Sequence, residues 1–260
     1  MAKPLDTVLV AGDGGWGTAI AMLLAQAGRE VRLWSHDPDY AADMRTSRTN
    51  PRYLPGFEIP TGIEIGANFD RLADGAELLI SAVPTAFVRD VWSGHDLPSD
   101  VPIVSVSQGV EKDTLLRPTE VLREVTDGER HIAVLSGPNI AREIASGLPA
   151  ASVVASNDEE LSHRVQATIS GRLFRVYSNP DPVGVELGGV LKNVIALAAG
   201  MCDGLKLGVN AKAALVSRGL LEMARLGVAL GGQRATFFGL SGLGDLMTTC
   251  YSESVSYTHL

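Results

Sequence analysis

Length and composition place the chain among globular proteins of one large or two modest domains. With 260 residues and a mass of 27.4 kDa, it is long enough to bury a sizeable core. Lys+Arg 22 against Asp+Glu 30 gives a net charge of −8, which argues against nucleic acid as a partner, because a polyanion is held by a basic surface. A small anionic ligand must therefore be held locally, by backbone N–H groups and a few cations.

Cysteine usage and hydropathy indicate the compartment. Cys202 and Cys250 are too few and too far apart for a disulfide framework or a cysteine-type zinc site. No run of about 18 uninterrupted apolar residues occurs, and residues 1–6 lack the apolar stretch of a secretion signal. We therefore expect a cytoplasmic protein with no metal site and no membrane span.

The amino-terminal residues predict a strand, a glycine turn, a helix and a second strand. An apolar run at residues 8–11 leads into Gly-Asp-Gly-Gly-Trp-Gly, residues 18–27 follow as an apolar helix, and residues 30–34 alternate polar and apolar. Such a βαβ unit pairs its strands in parallel. Further short apolar runs, bounded by Gly, Pro or Asp, continue the sheet at residues 78–83, 103–106, 133–135 and 151–155.

The pattern changes near residues 178–185, at the sequence Asn-Pro-Asp-Pro. Beyond it, Ala, Leu and Met recur at helical spacing in residues 190–199, 211–230 and 243–250. We therefore predict an α/β fold with two parts. Residues 1–180 form a Rossmann-type, doubly wound and mostly parallel sheet, and residues 181–260 form an incomplete all-helical domain.

The glycine turn predicts a dinucleotide site. Gly12, Gly14 and Gly17 give the pattern Gly-x-Gly-x-x-Gly between a strand and a helix. In this arrangement the first glycine allows the turn, the second lets a pyrophosphate approach the backbone, and the third lets the helix pack on the strand. Free N–H groups and the helix dipole would supply the local positive potential. The pattern favours NAD or NADP as the ligand over a plain tight turn.

The residues after the second predicted strand are candidates for contacts to the adenosine ribose. Asp37 follows the last glycine at the spacing of the acid that binds the 2′-hydroxyl of NAD. His36 and Arg32 could instead accommodate the 2′-phosphate of NADP. The residues leave this choice open, and a solvated loop aspartate is an equal alternative for Asp37.

Five strings occur together in an order that resembles one family. They are GDGGWGTA at residues 12–19, NPRYLPG at 50–56, LSGPNIAREI at 135–144, ELGGVLKNVIALAAG at 186–200 and GLGDLMTTC at 242–250. With these strings the chain is similar to the bacterial-type NAD(P)-dependent glycerol-3-phosphate dehydrogenases. The resemblance implies reduction of a triose phosphate, dihydroxyacetone phosphate, to glycerol 3-phosphate for glycerophospholipid synthesis. It also implies a homodimer in the full-length family.

The resemblance assigns roles to individual residues. Lys192, in an otherwise apolar segment, matches the catalytic lysine, and Asp245 matches a residue that would hold its ammonium, although Asp245 could also cap a helix. The residues expected to contact the cofactor are Gly12, Gly14, Gly15, Trp16, Gly17, His36, Gln108 and Ala141. Trp16 could equally be buried against residues 50–56. The residues expected to contact the substrate are Gln108, Gly137, Asn139, Asn193, Asp245 and Thr249.

The chain departs from the family pattern at two places. Gln108 stands where the family carries a lysine, and a neutral amide cannot donate a positive charge to a developing oxyanion. This loss predicts a rate lower by roughly one to two powers of ten. After Ser252 the family's Ser-Arg-Asn stretch is missing, so we expect a truncated or foreign tail, apolar helices without packing partners, and weak or no turnover.

Two alternatives remain beside this function. A related β-hydroxyacid or ketopantoate-type reductase shares the glycine turn and a helical lysine but lacks NPRYLPG and GLGDLMTTC. A non-catalytic dinucleotide-binding fragment is suggested by Gln108 and by the missing Arg-Asn pair. Titration with NADH followed by a turnover assay distinguishes this fragment from an enzyme.

Overall fold

The computed structural model describes residues 2–95, 97–98, 100–126, 128 and 130–252. Its strands are β1 (Thr7–Ala11), β2 (Glu30–Trp34), β3 (Thr49–Asn50), β4 (Leu54–Glu58), β5 (Glu64–Gly66), β6 (Leu78–Ser81), β7 (Ile103–Ser105), β8 (Ile132–Ser136), β9 (Ala150–Ala155) and β10 (Phe174–Asn179). Its helices are α1 (Gly15–Gln26), α2 (Pro38–Ser47), α3 (Phe69–Ala73), α4 (Val88–Trp92), α5 (Pro118–Val125), α6 (Ala141–Ala145), α7 (Glu159–Ile169), α8 (Pro182–Gly204), α9 (Val209–Ala229) and α10 (Asp245–Tyr251). Short helical turns of other types cover Thr85–Phe87, Arg234–Phe238 and Leu240–Gly244.

Within the described part of the chain, one large sheet has the strand order β10-β9-β8-β7-β6-β1-β2-β5. Every neighbouring pair is parallel except β8 and β9. The chain leaves β1 towards β2 and returns to β6 on the other side, so a crevice opens at the carboxyl ends of β1 and β6. The predicted doubly wound, mostly parallel sheet with a helical carboxyl-terminal region is confirmed.

The central strand β1 is buried on both faces, as expected for a parallel sheet covered by helices. Val8 and Val10 join one apolar cluster, which includes Ile20 of α1. Leu9 joins a second cluster on the opposite face with Trp92 of α4. Because both faces are covered, the position of the glycine turn after β1 is rigidly set by the core beneath it.

Helix α8 is the central helix of the region that follows the sheet. Asp181 caps it, accepting from the Gly184 N–H at 2.8 Å. Val185 packs beside Val134 of β8 and Val153 of β9, so α8 lies directly against the sheet. Its length and a mean hydropathy of 1.5 would suffice for a membrane span, a test that the core helix of a soluble protein also passes. Helices α9 and α10 pack on its other faces.

The observed elements occur where they were predicted but differ in their bounds: β6 and β7 end earlier than predicted, and several helices begin earlier. Helix α1 begins at the glycine turn itself, and α8 starts earlier and ends later than its predicted apolar stretch. The edge strand β10 and the hairpin of β3 and β4 were not predicted. The hairpin is interrupted by Pro55 and Gly56, and the alternation of Phe174, Arg175 and Val176 in β10 was a strand signal that the prediction did not use. The tail expected to be truncated or foreign, residues 253–260, lies outside the described residues.

Candidate active site

The turn between β1 and α1 depends on glycines at two close approaches. Gly12 has a φ of 116°, and a Cβ there would lie 2.6 Å from the Ala82 carbonyl oxygen. A Cβ on Gly17 would lie 2.0 Å from the Gly12 carbonyl oxygen, whereas nothing lies within 4 Å of such a Cβ at Gly14. Helix α1 begins at Gly15 without a side-chain cap, so its first N–H groups are available to a ligand. This cradle fits the pyrophosphate of a dinucleotide.

Asn50 holds the string NPRYLPG against the glycine turn. Its side-chain amide donates to the Asp13 carbonyl and to Thr18 Oγ1, each at 2.7 Å. Its Oδ1 accepts from the Tyr40 hydroxyl at 2.7 Å and from the Tyr53 N–H at 3.1 Å. All of the hydrogen-bonding capacity of this buried amide is therefore spent on closing one wall of the cleft.

Asp37 is the N-cap of α2. Its Oδ1 accepts from the Tyr40 N–H at 3.0 Å, and its Oδ2 accepts from Arg52 Nη1 at 3.1 Å. The Tyr40 N–H and the Arg52 guanidinium hold the pKa of the Asp37 carboxyl below its ordinary value. Asp37 is therefore an anchored residue with a cation beside it, rather than a solvated loop aspartate.

Arg32 and His36, the two candidates for a 2′-phosphate, lie in different places. Arg32 Nη1 donates to the Leu72 carbonyl at 2.9 Å, and Nη2 pairs with Glu30 at 2.8 Å. These contacts hold its guanidinium near the loop that precedes β6, at the opposite edge of the sheet from the glycine turn. They argue against a contact between Arg32 and the cofactor. His36 is exposed beyond the end of β2.

Lys192 and Asp245 form an ion pair in the cleft. Lys192 Nζ contacts Asp245 Oδ2, and Gln108 Nε2 donates to the same oxygen at 3.2 Å. Lys192 is 6% exposed and Asp245 3%. Burial raises the pKa of the Asp245 carboxyl, and Lys192 and then Gln108 oppose that rise by stabilising the charged form. Helix α10 begins at Asp245 after Gly244 and has no side-chain cap, so the helix-cap interpretation of Asp245 is wrong.

The close approach of α8 to the sheet brings these three side chains together. A Cβ on Gly189 would lie 3.1 Å from Gln108 Cδ and 3.0 Å from Ser136 Oγ, so α8 passes in close contact with the side chains that follow β7 and end β8. This contact places Gln108, which follows β7, beside the helix that carries Lys192.

Glu186 anchors α8 less than two turns before Lys192. Its buried carboxylate accepts from Arg117 Nη1 at 2.7 Å, from the Thr119 N–H at 2.9 Å and from Thr119 Oγ1 at 2.6 Å. Burial raises the pKa of Glu186, and Arg117 and Thr119 act against that rise. The network ties α8 to the start of α5 and so restrains the position of the lysine.

A cleft of about 1040 Å³ is lined from both parts of the chain. Among the residues expected from the sequence, it brings together Gly15, Trp16, Gln108, Gly137, Asn139, Ala141, Lys192, Asp245 and Thr249. The expected residues that do not line it are Gly12, Gly14, Gly17, His36 and Asn193. Two of these glycines shape the turn, and Asn193 is half-buried beside the lysine on α8.

The polar residues at the carboxyl edge of the sheet have defined partners. Asn139 Oδ1 accepts from Ser152 Oγ at 2.6 Å, which leaves its NH₂ group available in the cleft wall. Thr249 Oγ1 donates to the Asp245 carbonyl at 2.7 Å. Trp16 is half-buried, with its ring centroid 6.4 Å from that of Phe174, so β10 supports it from behind.

Sequence reasoning did not single out several residues that line the same cleft. They are Arg52, Tyr53, Pro55, Val106, Leu135, Ile140, Arg142, Glu143, Thr248 and Ser252. Most of them belong to the strings NPRYLPG, LSGPNIAREI and GLGDLMTTC. Membership of these strings was therefore the sequence feature that could have identified them as cleft residues. No spacing rule distinguishes them from ordinary loop residues.

A dinucleotide cradle that faces a buried ammonium–carboxylate pair defines the class of nicotinamide-dependent oxidoreductases with a Rossmann-type fold. The family model described as the NAD-dependent glycerol-3-phosphate dehydrogenase N-terminus matches residues 7–162, and the one for the C-terminus of the same family matches residues 181–258. The chain belongs to the NAD-dependent glycerol-3-phosphate dehydrogenase family, which confirms the resemblance in its motifs.

Curated relatives and a solved structure support the same family. A glycerol-3-phosphate dehydrogenase [NAD(P)+] of Geobacter sp. (strain M21) is 45% identical over 252 residues, which cover 95% of this chain and 75% of that protein. One of Thermus thermophilus is 49% identical over 247 residues, covering 94% of this chain and 75% of that protein. The crystal structure of the Coxiella burnetii glycerol-3-phosphate dehydrogenase superposes with a TM-score of 0.91 at 38% identity, over 96% of this chain and 77% of that one.

Proposed function

We propose that this chain catalyses the reversible, NAD(P)-dependent reduction of dihydroxyacetone phosphate to glycerol 3-phosphate. The observation that carries the proposal is the Lys192–Asp245 ion pair, which lies in one cleft with the start of the dinucleotide-binding helix α1. The relatives named for glycerol-3-phosphate and NAD(P)+ support the choice of substrate and cofactor.

The proposed mechanism assigns each part of the cleft a task. The glycine turn would hold the pyrophosphate, with Trp16 and Ala141 lining the path of the dinucleotide. When bound, the reduced nicotinamide supplies a hydride to the carbonyl carbon. The protein's remaining task is to fix the ketone in position and to stabilise the charge that develops on its oxygen.

Lys192 performs that task. Its ammonium hydrogen-bonds the ketone oxygen; as the new C–H bond forms and the carbonyl π bond breaks, that oxygen takes a proton from Nζ and becomes the alcohol. The neutral amine then regains a proton from solvent, and in the oxidative direction it accepts the alcohol proton. Asp245 keeps the ammonium in place, and Gln108 restrains the carboxylate from the other side.

The polar groups around this pair would bind the rest of the substrate. Gly137 and Asn139 lie at the end of β8, Thr249 lies one turn beyond Asp245, and Asn193 follows the lysine. Amide and hydroxyl groups of this kind can bind the hydroxyl and phosphate-ester oxygens of a triose phosphate. We propose these residues, together with Gln108, as the substrate contacts.

The experiment is a turnover assay with the purified chain. Oxidation of NADH and of NADPH is followed by absorbance with and without dihydroxyacetone phosphate, and glycerol 3-phosphate is identified as the product. The proposal predicts oxidation that depends on the triose phosphate, at a rate lowered by roughly one to two powers of ten because Gln108 is a neutral amide. Cofactor binding without any such oxidation would contradict it and would support a binding fragment.

We also propose how the chain is organised and where it works. A dinucleotide-binding domain would span residues 1–180 and a helical substrate domain residues 181–260, supported by the end of β10 at Asn179 and the start of α8 at Pro182. The proposed location is the cytoplasm, and a homodimer is supported by the exposed apolar side chains of Val194, Leu197 and Met201 at helical spacing on α8. Sedimentation analysis tests the dimer.

A further inference from the structure

Arg32 and Arg52 differ in their access to the adenosine end of the cleft, where a cation would bind a 2′-phosphate. The Leu72 carbonyl and Glu30 hold the Arg32 guanidinium towards the amino ends of the strands, away from the glycine turn. Arg52 instead lines the cleft and pairs with Asp37, the residue at the spacing of the ribose-binding acid. The carboxylate that would favour a 2′-hydroxyl is therefore already neutralised by a guanidinium from the loop after β3.

Arg52 is held in one orientation. Its Nη1 contacts Asp37 Oδ2 at 3.1 Å, and its guanidinium carbon lies 4.0 Å from the centroid of the Tyr40 ring. The Arg52 N–H also donates to the Tyr40 hydroxyl at 3.1 Å, so backbone and side chain are fixed on the same tyrosine. The side chain is 56% exposed, and a guanidinium has five N–H donors, so donors remain for a ligand.

A guanidinium braced in this way suits a phosphate better than a hydroxyl. Its planar fork matches the oxygens of a phosphate in a bidentate contact, and the contact is charge-assisted. We propose that Arg52, positioned by Asp37 and Tyr40, is a specificity-determining residue that selects the 2′-phosphate of NADP over the 2′-hydroxyl of NAD. This inference rests on the dinucleotide site of the proposed function and adds to it the preferred cofactor.

Equilibrium binding to the whole chain tests the inference without any turnover. Calorimetry compares NADP+ with NAD+, and 2′,5′-ADP with 5′-AMP, which isolates the adenosine end. We expect the wild-type chain to bind each 2′-phosphorylated ligand about tenfold more tightly than its partner, because a contact to a charged group contributes about that much. Arg52→Gln should abolish this ratio while leaving the Kd for NAD+ within about twofold.

Two further variants control for charge and for folding. Arg45→Gln removes the same charge from an exposed position on α2, outside the cleft, and should leave the ratio unchanged. Asp37→Ser retains an N-cap acceptor but removes the carboxylate that positions Arg52, so it should lower the preference for 2′,5′-ADP over 5′-AMP. Thermal unfolding of each variant verifies the fold.

The outcomes distinguish this inference from the proposed function. Equal affinity of the wild-type chain for the two ligands of each pair, or a ratio that survives Arg52→Gln, would overturn the role of Arg52 and leave the dehydrogenase intact. Failure to bind any of the four nucleotides would contradict the dinucleotide function and, with it, this inference.

Discussion

The Lys192 ammonium of α8 and the Asp245 carboxylate of α10 form a nearly buried ion pair at the cleft, and Gln108 donates to the carboxylate oxygen that contacts the lysine. Two charges are removed from water here, which is costly unless each satisfies the other. Both side chains line the cleft. The carboxylate oxygen already has two partners, Lys192 and Gln108, whereas the ammonium has three N–H donors and contacts Asp245, so donors remain for a ligand.

Asp245→Asn should lower kcat by about a hundredfold, since the ammonium loses the charge that holds it in position. Removing one member of a buried pair should also cost about 3 kcal/mol of unfolding free energy. Steady-state kinetics and urea unfolding measure the two effects. The matched control is Asp203→Asn. Asp203 is the exposed member of the Lys212–Asp203 ion pair, so the loss of its charge should change kcat little. Unchanged kcat in Asp245→Asn would contradict the role given to the carboxylate.

Gln108→Lys should raise kcat/KM by roughly ten- to a hundredfold, because a second cation then faces the developing oxyanion. Gln108→Met keeps the length of the side chain but loses the hydrogen bond to Asp245, and it should lower kcat. The kinetics of the three chains with the same cofactor check this order. If the methionine variant matched the wild type, the amide would have no role in the cleft.

Glu186→Gln should destabilise the chain by about 2 kcal/mol, because the buried Arg117 contact loses its charge and the guanidinium keeps only Glu120 as a charged partner. Thr119→Val removes only a hydroxyl donor and should cost about 1 kcal/mol. Urea unfolding of both variants gives the comparison. Equal and small effects would show that the network at the start of α5 does not hold α8.

The Arg89–Glu111 pair should make stability depend on pH on the acid side. Arg89 donates to both oxygens of Glu111 at 2.8 and 2.9 Å, and these bonds, with one from Thr114, lower the pKa of Glu111 from 4.5 to about 2. Because the pKa is lower in the folded chain, the stabilisation is present above pH about 4.5 and is lost as pH falls towards about 2.

Removing the pair tests this directly. In Arg89→Gln the difference in unfolding free energy from the wild type should be largest above pH about 4.5 and should shrink as the pH is lowered. Urea titrations across that range measure it. A difference that is constant with pH would show that Glu111 does not titrate through this contact. Because Glu111 lies in the same loop as Gln108, between β7 and α5, loosening it should also raise KM.

The sequence predicted those elements of the fold that depend on apolar runs and on the positions of glycines. The strand, glycine turn and helix at residues 8–27 follow from apolar runs and from the steric demands on Gly12 and Gly17. The edge strand β10 was not predicted although Phe174, Arg175 and Val176 alternate as in a half-buried strand, and its place beside β9 is set by a tertiary pairing.

The sequence predicted individual residues of the candidate site, but it did not predict which of their side chains contact one another. Lys192 stood out as a charge in an apolar segment. Its contact with Asp245, and that of Gln108 with the same carboxylate, depend on how α8 crosses the sheet at Gly189. The engagement of Arg32 by Leu72 is equally a tertiary contact, invisible in sequence spacing.

In the proposed mechanism the Lys192 ammonium delivers the proton to the ketone oxygen. The most direct measurement is the single-turnover rate of dihydroxyacetone phosphate reduction by Lys192→Met, with the Kd for NADPH measured on the same protein. We predict a rate lower by about a thousandfold or more, with the Kd nearly unchanged. A Lys192→Met chain that reduces the triose phosphate at the wild-type rate would contradict the account.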